Sequence, residues 1–426
     1  MNIPSTVILV GLLVFLGHAL EDVFARTKVP DVLILLCLGI LIGPIAHLVG
    51  PESFGAVGPI FTTVTLVVLL FESGLGLDLG MLLRSLRGAT LLTVANFIAT
   101  LLVVTPLAHL FLGLGWLGAA SLGAILAGTS SAVVIPLVKR LTLGEKTRMA
   151  LLLESALSDV LVIVVALGLM GAQKAGELHL GLMLGGMVAS FLLAILIGVG
   201  AGLLWALALN RIHGLENTIF TTPAFVLVVF GLTELLGYSG AIASLALGIM
   251  LGNTSRIPAR ILRLMRLRLT PLNDTEQAVF REVVFLLKTF FFIYIGLSLQ
   301  LSAWQGLSAG LGITLLLFAA RIPVVHASLP RSSTFRKEAM ACTVMVPKGL
   351  AAAVVATIPA QMGLPGALQI QNTAYAVVLF SILITSGLVF CLERGWLDGL
   401  AQRWFRGYAA EGEPNSGHES EPTRSS

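Results

Sequence analysis

Charge is what this chain has least of. Only 11% of its 426 residues are Asp, Glu, Lys or Arg, where a soluble domain carries about 25%. A surface for water cannot be built from so few charges, so an ordinary soluble globular fold is excluded. Cysteine is also scarce: Cys37, Cys342 and Cys391 all lie in or at the end of apolar runs. Neither a disulfide framework nor a zinc-ligand spacing is present. The opening Met1-Asn2-Ile3-Pro4 puts no basic segment before the first apolar run, so no cleavable signal is expected. What remains is apolar: 57% hydrophobic residues and 45 glycines, with a mean hydropathy of +0.97. These are the marks of a polytopic membrane protein, in which Gly allows helices to pack closely. The net charge of +4 reads as loop bias and interaction with lipid, not as nucleic-acid binding.

Runs of about 20 apolar residues predict an all-α fold of about thirteen spans. They are 4–20, 32–49, 54–73, 88–112, 115–138, 148–171, 180–208, 218–236, 238–253, 280–300, 303–327, 338–360 and 370–393. Odd-numbered loops hold nearly all the loop Lys and Arg: Lys139, Arg140, Lys146 and Arg148 in the fifth, Arg256, Arg260, Arg263, Arg266 and Arg268 in the ninth. Even-numbered loops hold Lys174 alone. The positive-inside rule then places the N-terminus outside and the C-terminus in the cytoplasm, in a cell (inner) membrane. The Arg-rich ninth loop is expected to face anionic headgroups, or to lie as an interfacial helix. Residues 409–426 form a polar tail expected to be disordered, after a transmembrane domain of 1–408.

The chain repeats itself. Leu36-Cys-Leu-Gly-Ile-Leu-Ile-Gly43 returns as Leu245-Ala-Leu-Gly-Ile-Met-Leu-Gly252, Gly74-Leu-Gly-Leu-Asp-Leu79 as Gly296-Leu-Ser-Leu-Gln-Leu301, and Ala132-Val-Val134 before Pro136 as Ala353-Val-Val355 before Pro359. The offsets are 209, 222 and 221 residues. Copies lie seven spans apart, and seven is odd, so the second copy enters the membrane the other way up. The expected organisation is repeat 1 over about 4–171, a linker helix over about 180–208, and repeat 2 over about 218–393. Inverted-topology repeats of this kind belong to secondary transporters, whose ion sites lie at the midplane beside discontinuous helices.

The chemistry lies in Glu154-Ser-Ala-Leu-Ser-Asp159, two carboxylates inside an otherwise apolar run from Met149 to Met170. A charge at a bilayer centre costs about 2.5–3.5 kcal/mol on insertion scales. Ser155 and Asp159 share one helix face, and Glu154 and Ser158 a neighbouring one. A line of oxygens suits a proton or a hard cation. Span 5 contains Gly128-Thr-Ser-Ser131 before Pro136, and span 12 contains Pro347-Lys-Gly349 before Pro359. Both are expected to unwind. Crossing them beside span 6 would gather Thr129, Ser130, Ser155, Ser158 and Asp159. Lys348 needs a carboxylate there; Glu154 and Asp159 are the candidates, with Glu154 preferred. Lys288 in span 10 is a second intramembrane cation. It is open to snorkelling, pairing with a helix end or charge coupling.

With these residues in place the sequence resembles the monovalent cation:proton antiporter superfamily, of the sodium/proton exchanger type, over about residues 5–395. The carriers are Phe71-Glu-Ser-Gly-Leu-Gly-Leu-Asp78, Gly128-Thr-Ser-Ser-Ala-Val-Val134, Glu154-Ser-Ala-Leu-Ser-Asp159, Phe292-Ile-Tyr-Ile-Gly-Leu-Ser-Leu299 and Pro347-Lys-Gly349. The resemblance implies the sodium/proton antiporter fold, with thirteen helices, a dimerisation domain, a six-helix core that moves as an elevator, and a homodimer serving pH homeostasis. It implies no cofactor: Na+ or K+ and H+ are cargo, and Asp159 is their shared site. Thr129, Ser130, Ser155 and Ser158 fall where family members supply ligands or supporting hydrogen bonds. Glu154 with Lys348 matches a structural ion pair in the branch with Glu and Arg. That branch usually has Asn where Ser158 stands and Thr-Asp where Thr129-Ser130 stands. The electrogenic branch often has two adjacent aspartates where this chain has one, which favours one cation for one proton.

Blander roles compete with these. Asp159 could be a purely structural charge, Ser155 and Ser158 small packing residues, and Glu72 and Asp78 solvated groups at the end of span 3. His18, His47 and His109 lie near span ends and make poor ligands. Three other functions compete as well. A transporter of organic anions or bile acids could use the same inverted-repeat fold, although the Phe71 and Phe292 motifs argue against it. Gly237-Tyr-Ser-Gly240 matches the G-x-S-G of rhomboid-type intramembrane proteases, but the only later histidines are His326 and His418. A channel would be distinguished by continuous currents without saturable exchange. The expectation is therefore a transporter and not an enzyme.

Overall fold

In the computed structural model of the chain, the described residues are 30–50, 57–77, 86–175, 180–212, 219–256, 269–301, 304–332 and 334–409, with isolated positions before residue 20 and at residue 80. Most of the expected first span, Asp78, Arg260 to Arg268 and the tail from residue 410 onward lie outside them.

The described residues are helical, with a single isolated bridge, Phe335 to Ala409. In chain order the helices are α1 Asp31–Ile40, continued by a π-helical turn Leu41–Ile45 around Pro44; α2 Val57–Gly76; α3 Leu86–Leu112; α4 Trp116–Ile125; α5 Ser131–Arg140; α6 Glu145–Ala175; α7 Leu180–Ile212 and α8 Thr221–Leu235. There follow α9 Gly240–Gly252; α10 Asp274–Ser298; α11 Trp304–Ser328; α12 Arg336–Val344; α13 Leu350–Val355; α14 Ile358–Gln361; α15 Ala367–Glu393; and α16 Asp398–Trp404. Among the described residues, five segments are long and apolar enough to cross a membrane: Thr90–Leu112, Glu145–Lys174, Ala189–Leu209, Trp304–Ser328 and Ala367–Glu393. The expected spans 115–138 and 338–360 are each interrupted, the first into α4 and α5 and the second into α12, α13 and α14. Glycine, proline and clustered hydroxyls at the two breaks disfavour a continuous helix. Helix α16 was not expected, because seven residues with Asp398 and Arg403 carry no span-like signal.

The helices sort into two groups. Helices α1, α2, α7, α8, α9 and α10 pack closely among themselves, as do α3 to α6, α11 to α13 and α15. Between the groups contact is thin, made chiefly by α13 against α2 and α10, and by α15 against α1. The first group is a scaffold and the second a core carrying both broken helices.

Scaffold packing follows the sequence repeat. On α1, a Cβ at Gly39 would stand 2.9 Å from the Gly296 Cα of α10 and collide with the Ile293 carbonyl. On α2, a Cβ at Gly74 would stand 2.9 Å from the Ile249 nitrogen of α9 and collide with the Leu245 carbonyl. Gly43 faces Leu297 as Gly252 faces Leu75. The repeated glycines are thus the points where a helix of one copy lies backbone to backbone on a helix of the other. Lipid tails compete equally for apolar side chains, so such close approach is a main source of helix association in membranes.

The chain end is fastened to the core. Helix α16 packs on α12, and Arg336 Nε donates to the Tyr408 carbonyl at 3.1 Å. The His326 ring stacks on Phe405 at 4.7 Å, with its Nε2 3.1 Å from the Trp404 carbonyl.

Replacing Gly39 with Leu forces two backbones apart, where overpacking alone costs about 1–3 kcal/mol. The detergent-solubilised Gly39→Leu protein is expected to lose its monodisperse peak or melt well below wild type. Gly171→Ala, where a Cβ meets nothing within 4 Å, is expected to melt with wild type. Equal melting of the two variants would refute the contact.

Candidate ion-binding site

The two breaks cross at residues 126–130 and 345–349. The Ser130 amide donates to the Pro347 carbonyl at 2.7 Å, and the Lys348 amide donates to Ser381 Oγ on α15 at 2.9 Å. Asn96 Nδ2 on α3 reaches the freed Ala127 carbonyl at 3.3 Å. Unwound backbone inside a membrane needs such partners, because no water is there to supply them. Gly349 allows the crossing: a Cβ there would overlap the Ser130 side chain.

Helix α6 runs beside the crossing. Ser158 Oγ donates to the Ser155 carbonyl at 3.1 Å and accepts from the Thr129 amide at 3.0 Å. Its single proton is then engaged, so the contact between Thr129 Oγ1 and Ser158 Oγ at 3.2 Å has Thr129 as donor. Ser155 Oγ donates to the Leu152 carbonyl at 2.9 Å. Thr129, Ser155 and Ser158 are all buried. They form a hydrogen-bonded frame locking the first break to α6, and none lines the cavity.

That cavity, about 210 Å³, opens between core and scaffold. Its polar lining is Asp159, Ser130 and Ser131 from the core, and Glu72, Ser73 and Lys288 from the scaffold. Asp159 Oδ2 accepts from Ser131 Oγ at 3.3 Å. Ser130 Oγ is buried with no hydrogen-bond partner, leaving a hydroxyl oxygen free beside the carboxylate. Of the expected ligands, Asp159 and Ser130 therefore meet at one cavity, and Thr129, Ser155 and Ser158 stand behind it. Ser131 is an addition. Its signal was present in the Thr-Ser-Ser run, where the third hydroxyl begins α5.

The expected pair of Glu154 with Lys348 is corrected. Glu154 is held by Arg321 of α11, with Nη1 on Oε1 and Nη2 on Oε2 at 2.6 Å, while Arg321 Nε donates to the Cys342 carbonyl at 3.0 Å. Both side chains are essentially inaccessible, at 0% and 1% exposure. A guanidinium presents two parallel donors to one carboxylate and keeps a third for backbone; an ammonium is a point charge that cannot match that fork. Arg321 was legible as a charge inside span 303–327. Lys348 is fully buried and its Nζ has no hydrogen-bond partner. Lys288 Nζ pairs with Asp31 Oδ2 at 2.9 Å, linking α10 to the start of α1 on the cavity wall. Asp31 lies just before an expected span boundary, where a carboxylate reads as solvated.

Two further cavities flank the site. One, about 480 Å³, shares Glu72 and reaches Thr254, Gln277 and Arg281. The other, about 450 Å³, contains Lys174, Glu234 and Ser239 and shares only Leu66 and Val354 with the Asp159 cavity. Ser239 of the Gly-Tyr-Ser-Gly motif caps α9, accepting from the Ile242 amide at 3.3 Å. His109 stacks on Trp116 and contacts the Leu114 carbonyl at 2.7 Å. Among the described residues no His, Cys, Asp and Glu cluster suited to a resident metal exists.

Crossed broken helices beside a half-buried carboxylate, between a scaffold and a core, define a secondary-transporter architecture. The chain belongs to the family described as sodium/hydrogen exchanger, transmembrane, whose model matches residues 11–393. It is 27% identical over 397 residues to the K(+)/H(+) antiporter NhaP2 of Shewanella sp. (strain ANA-3), covering 90% of this chain and 65% of that protein. It is 24% identical to the K(+)/H(+) antiporter NhaP of Alkalimonas amylolytica, over 95% of this chain and 67% of that one. The chain thus spans about two thirds of the length of these relatives. The solved structure of the sodium proton antiporter MjNhaP1 from Methanocaldococcus jannaschii superposes with a TM-score of 0.68 at 23% identity, covering 95% of this chain and all of that one. The fold is that of the sodium/proton antiporters.

Removing one partner from a buried ion pair costs about 3–5 kcal/mol. Glu154→Gln and Arg321→Met are both expected to melt far below wild type in detergent. Lys348→Met removes a buried ammonium that has no hydrogen-bond partner, so it is expected to melt near wild type or above. The reverse order would return Glu154 to Lys348.

Proposed function

We propose that this protein exchanges a monovalent cation, Na+ or K+, for H+ across a cell membrane, and that Asp159 holds cation and proton in turn. One observation carries the reading. Asp159 borders an open cavity, and its hydrogen-bond partner among the described residues is a hydroxyl, whereas Glu154 a turn away is neutralised by an arginine. A carboxylate kept free of a cationic partner inside a membrane is available to a transported one. The Ser131 and Ser130 hydroxyls add oxygens to the carboxylate, as a hard cation requires. The relatives' descriptions as K(+)/H(+) antiporters agree with this reading.

Competition supplies the coupling. Asp159 binds a proton or a dehydrated cation, not both, and the core moves against the scaffold only with its site neutralised. An ionised, empty site would carry a bare charge past apolar Leu66 of α2 and Val354 of α13, which line both the Asp159 cavity and the 450 Å³ cavity. Glu72 lines both the Asp159 cavity and the 480 Å³ cavity, whose lining includes Thr254 and Ser255 next to the Arg-rich loop in sequence, the side that loop charge assigns to the cytoplasm. The movement is an elevator of the core along the scaffold, and a homodimer of scaffolds would hold it in place. One titratable carboxylate favours one cation per proton. Ser130, Ser131 and Asp159 are the proposed contacts with the ion. Thr129, Ser155 and Ser158 hold the break in shape, Glu154 holds the core together through Arg321, and Lys288, anchored by Asp31, adds a fixed positive charge to the cavity wall. The two carboxylates facing the cavity disfavour an organic anion, and the capping role of Ser239 disfavours a serine nucleophile.

In proteoliposomes holding an imposed pH gradient, the wild type is expected to dissipate it on addition of Na+ or K+. Asp159→Asn is expected to be silent at every cation concentration; exchange like wild type in that variant would end the competition mechanism. Ser131→Ala removes one hydroxyl from the site, a loss of about 1 kcal/mol. It is expected to raise the half-saturating cation concentration by about five- to tenfold with maximal rate retained. An unchanged value would remove Ser131 from the site.

A further inference from the structure

A larger cavity, about 820 Å³, lies on the flank of the core, where the end of α3 meets the starts of α11 and α15. Its apolar lining includes Leu107, Phe111, Ile313 and Leu316, of which Ile313 is buried and Phe111 and Leu316 are exposed. Its mouth is polar but uncharged, with Gln305, Ser308, Gln369 and Asn372. No Asp, Glu, Lys or Arg lines it. Gly306, Ala309 and Gly312 supply a groove floor of small residues along α11. From Trp304 to Leu316 the helix rises about 18 Å, close to the hydrocarbon depth of one leaflet, about 15 Å. Trp304, 71% exposed, stands at the rim, as Trp does at a membrane–water interface.

A second observation points to an occupant. Thr373 on α15 lines this cavity, is 1% exposed, and its Oγ1 has no hydrogen-bond partner. Several buried threonines in these helices, Thr289, Thr314 and Thr343 among them, donate to the carbonyl four residues earlier, while Thr385 shares the unpartnered hydroxyl of Thr373 but does not line this cavity. Thr373 forgoes that bond and leaves a donor for something in the groove. The mouth adds carboxamide donors and acceptors a few ångströms nearer the aqueous phase.

We propose that this groove is a phospholipid site. One acyl chain lies along Gly312 and Leu316, its ester carbonyl accepts from Thr373, and the headgroup rests among the carboxamides of Gln305, Gln369 and Asn372. An uncharged mouth offers no ion pair to an anionic headgroup, and carboxamide oxygens can accept from an ammonium. The lipid is therefore zwitterionic, a phosphatidylethanolamine. By loop charge it belongs to the leaflet opposite the Arg-rich loop. The site is confined to the core, so the lipid rides with the group that carries Asp159. The inference stands independently of the transported ion.

The test is native mass spectrometry of the delipidated full chain, re-exposed separately to phosphatidylethanolamine and phosphatidylglycerol of the same acyl composition. The wild type is expected to retain one phosphatidylethanolamine per chain under collisional activation that strips phosphatidylglycerol. Gly312→Phe, where a Cβ meets nothing within 4 Å, puts an aromatic ring at the groove and is expected to lose the adduct. Gly387→Phe, an equally open position lower on α15, is expected to keep it. Thr373→Val preserves shape and is expected to release the lipid at lower activation energy. No adduct in the wild type, equal retention of phosphatidylglycerol, or an adduct that survives Gly312→Phe would each overturn the proposal.

Discussion

The clasp of Arg321 on Glu154 is the interaction on which the rest of this structure depends. It is a full ion pair in a place where either partner alone would be intolerable. Desolvating a charge costs several kcal/mol, and only a close partner with its remaining donors satisfied offsets that. Here both conditions are met: the carboxylate is gripped by two nitrogens, and the third guanidinium nitrogen reaches the Cys342 carbonyl. The pair joins α6, α11 and the end of α12, three elements of the core, around the crossing of the broken helices. It also divides labour between two acids lying within two helical turns. Glu154 is fixed as structure, and Asp159 remains unneutralised at the cavity.

Much of this was readable before any coordinates. The Gly and Pro content of residues 126–136 and 347–359 marked both breaks, and the spacing of Ser155, Ser158 and Asp159 put them on adjoining faces of one helix. The repeat was readable too, and its glycines prove to be the backbone contacts of the scaffold. What failed was pairing. Sequence spacing places residues along a helix but says nothing about which of several distant cations faces a given acid. Lys348 was given a carboxylate because it lay at a break, and Arg321 was not weighed, yet a point charge at the end of a flexible stem competes poorly with a preformed fork. The hydroxyls needed tertiary geometry too. Thr129 and Ser158 bond to each other, Ser155 Oγ bonds to the Leu152 carbonyl, and none of the three lines the cavity. Asp31 was missed because a carboxylate at a span boundary looks solvated, while its true partner is about 250 residues away in sequence.

The scaffold and the core differ in how they are held. The scaffold has glycine against backbone at its closest crossings, Gly39 on Gly296 and Gly74 on the backbone of α9, which makes those crossings intolerant of substitution. The core is held by buried polar groups: the Arg321 clasp, the Thr129–Ser158 frame and the crossing at Ser130 and Pro347. Between them contact is thin and the polar cavity intervenes. A boundary of that kind can slide, because little is broken when one side moves. The groove at Thr373 places a lipid on the core side of that boundary, where it would travel with the moving part and leave the fixed one untouched.

The fastening of the chain end has a mechanical meaning of its own. Helix α16, the stacked rings of His326, Phe405 and Tyr408, and the bridge from Phe335 to Ala409 all attach the chain to α11 and α12. None of these anchors belongs to the scaffold. The chain as far as Ala409 is therefore fastened to the group of helices that carries Asp159. Under the proposed elevator, a fluorophore joined at Ala409 would register each stroke of the core, and a load hung on the same point would brake it.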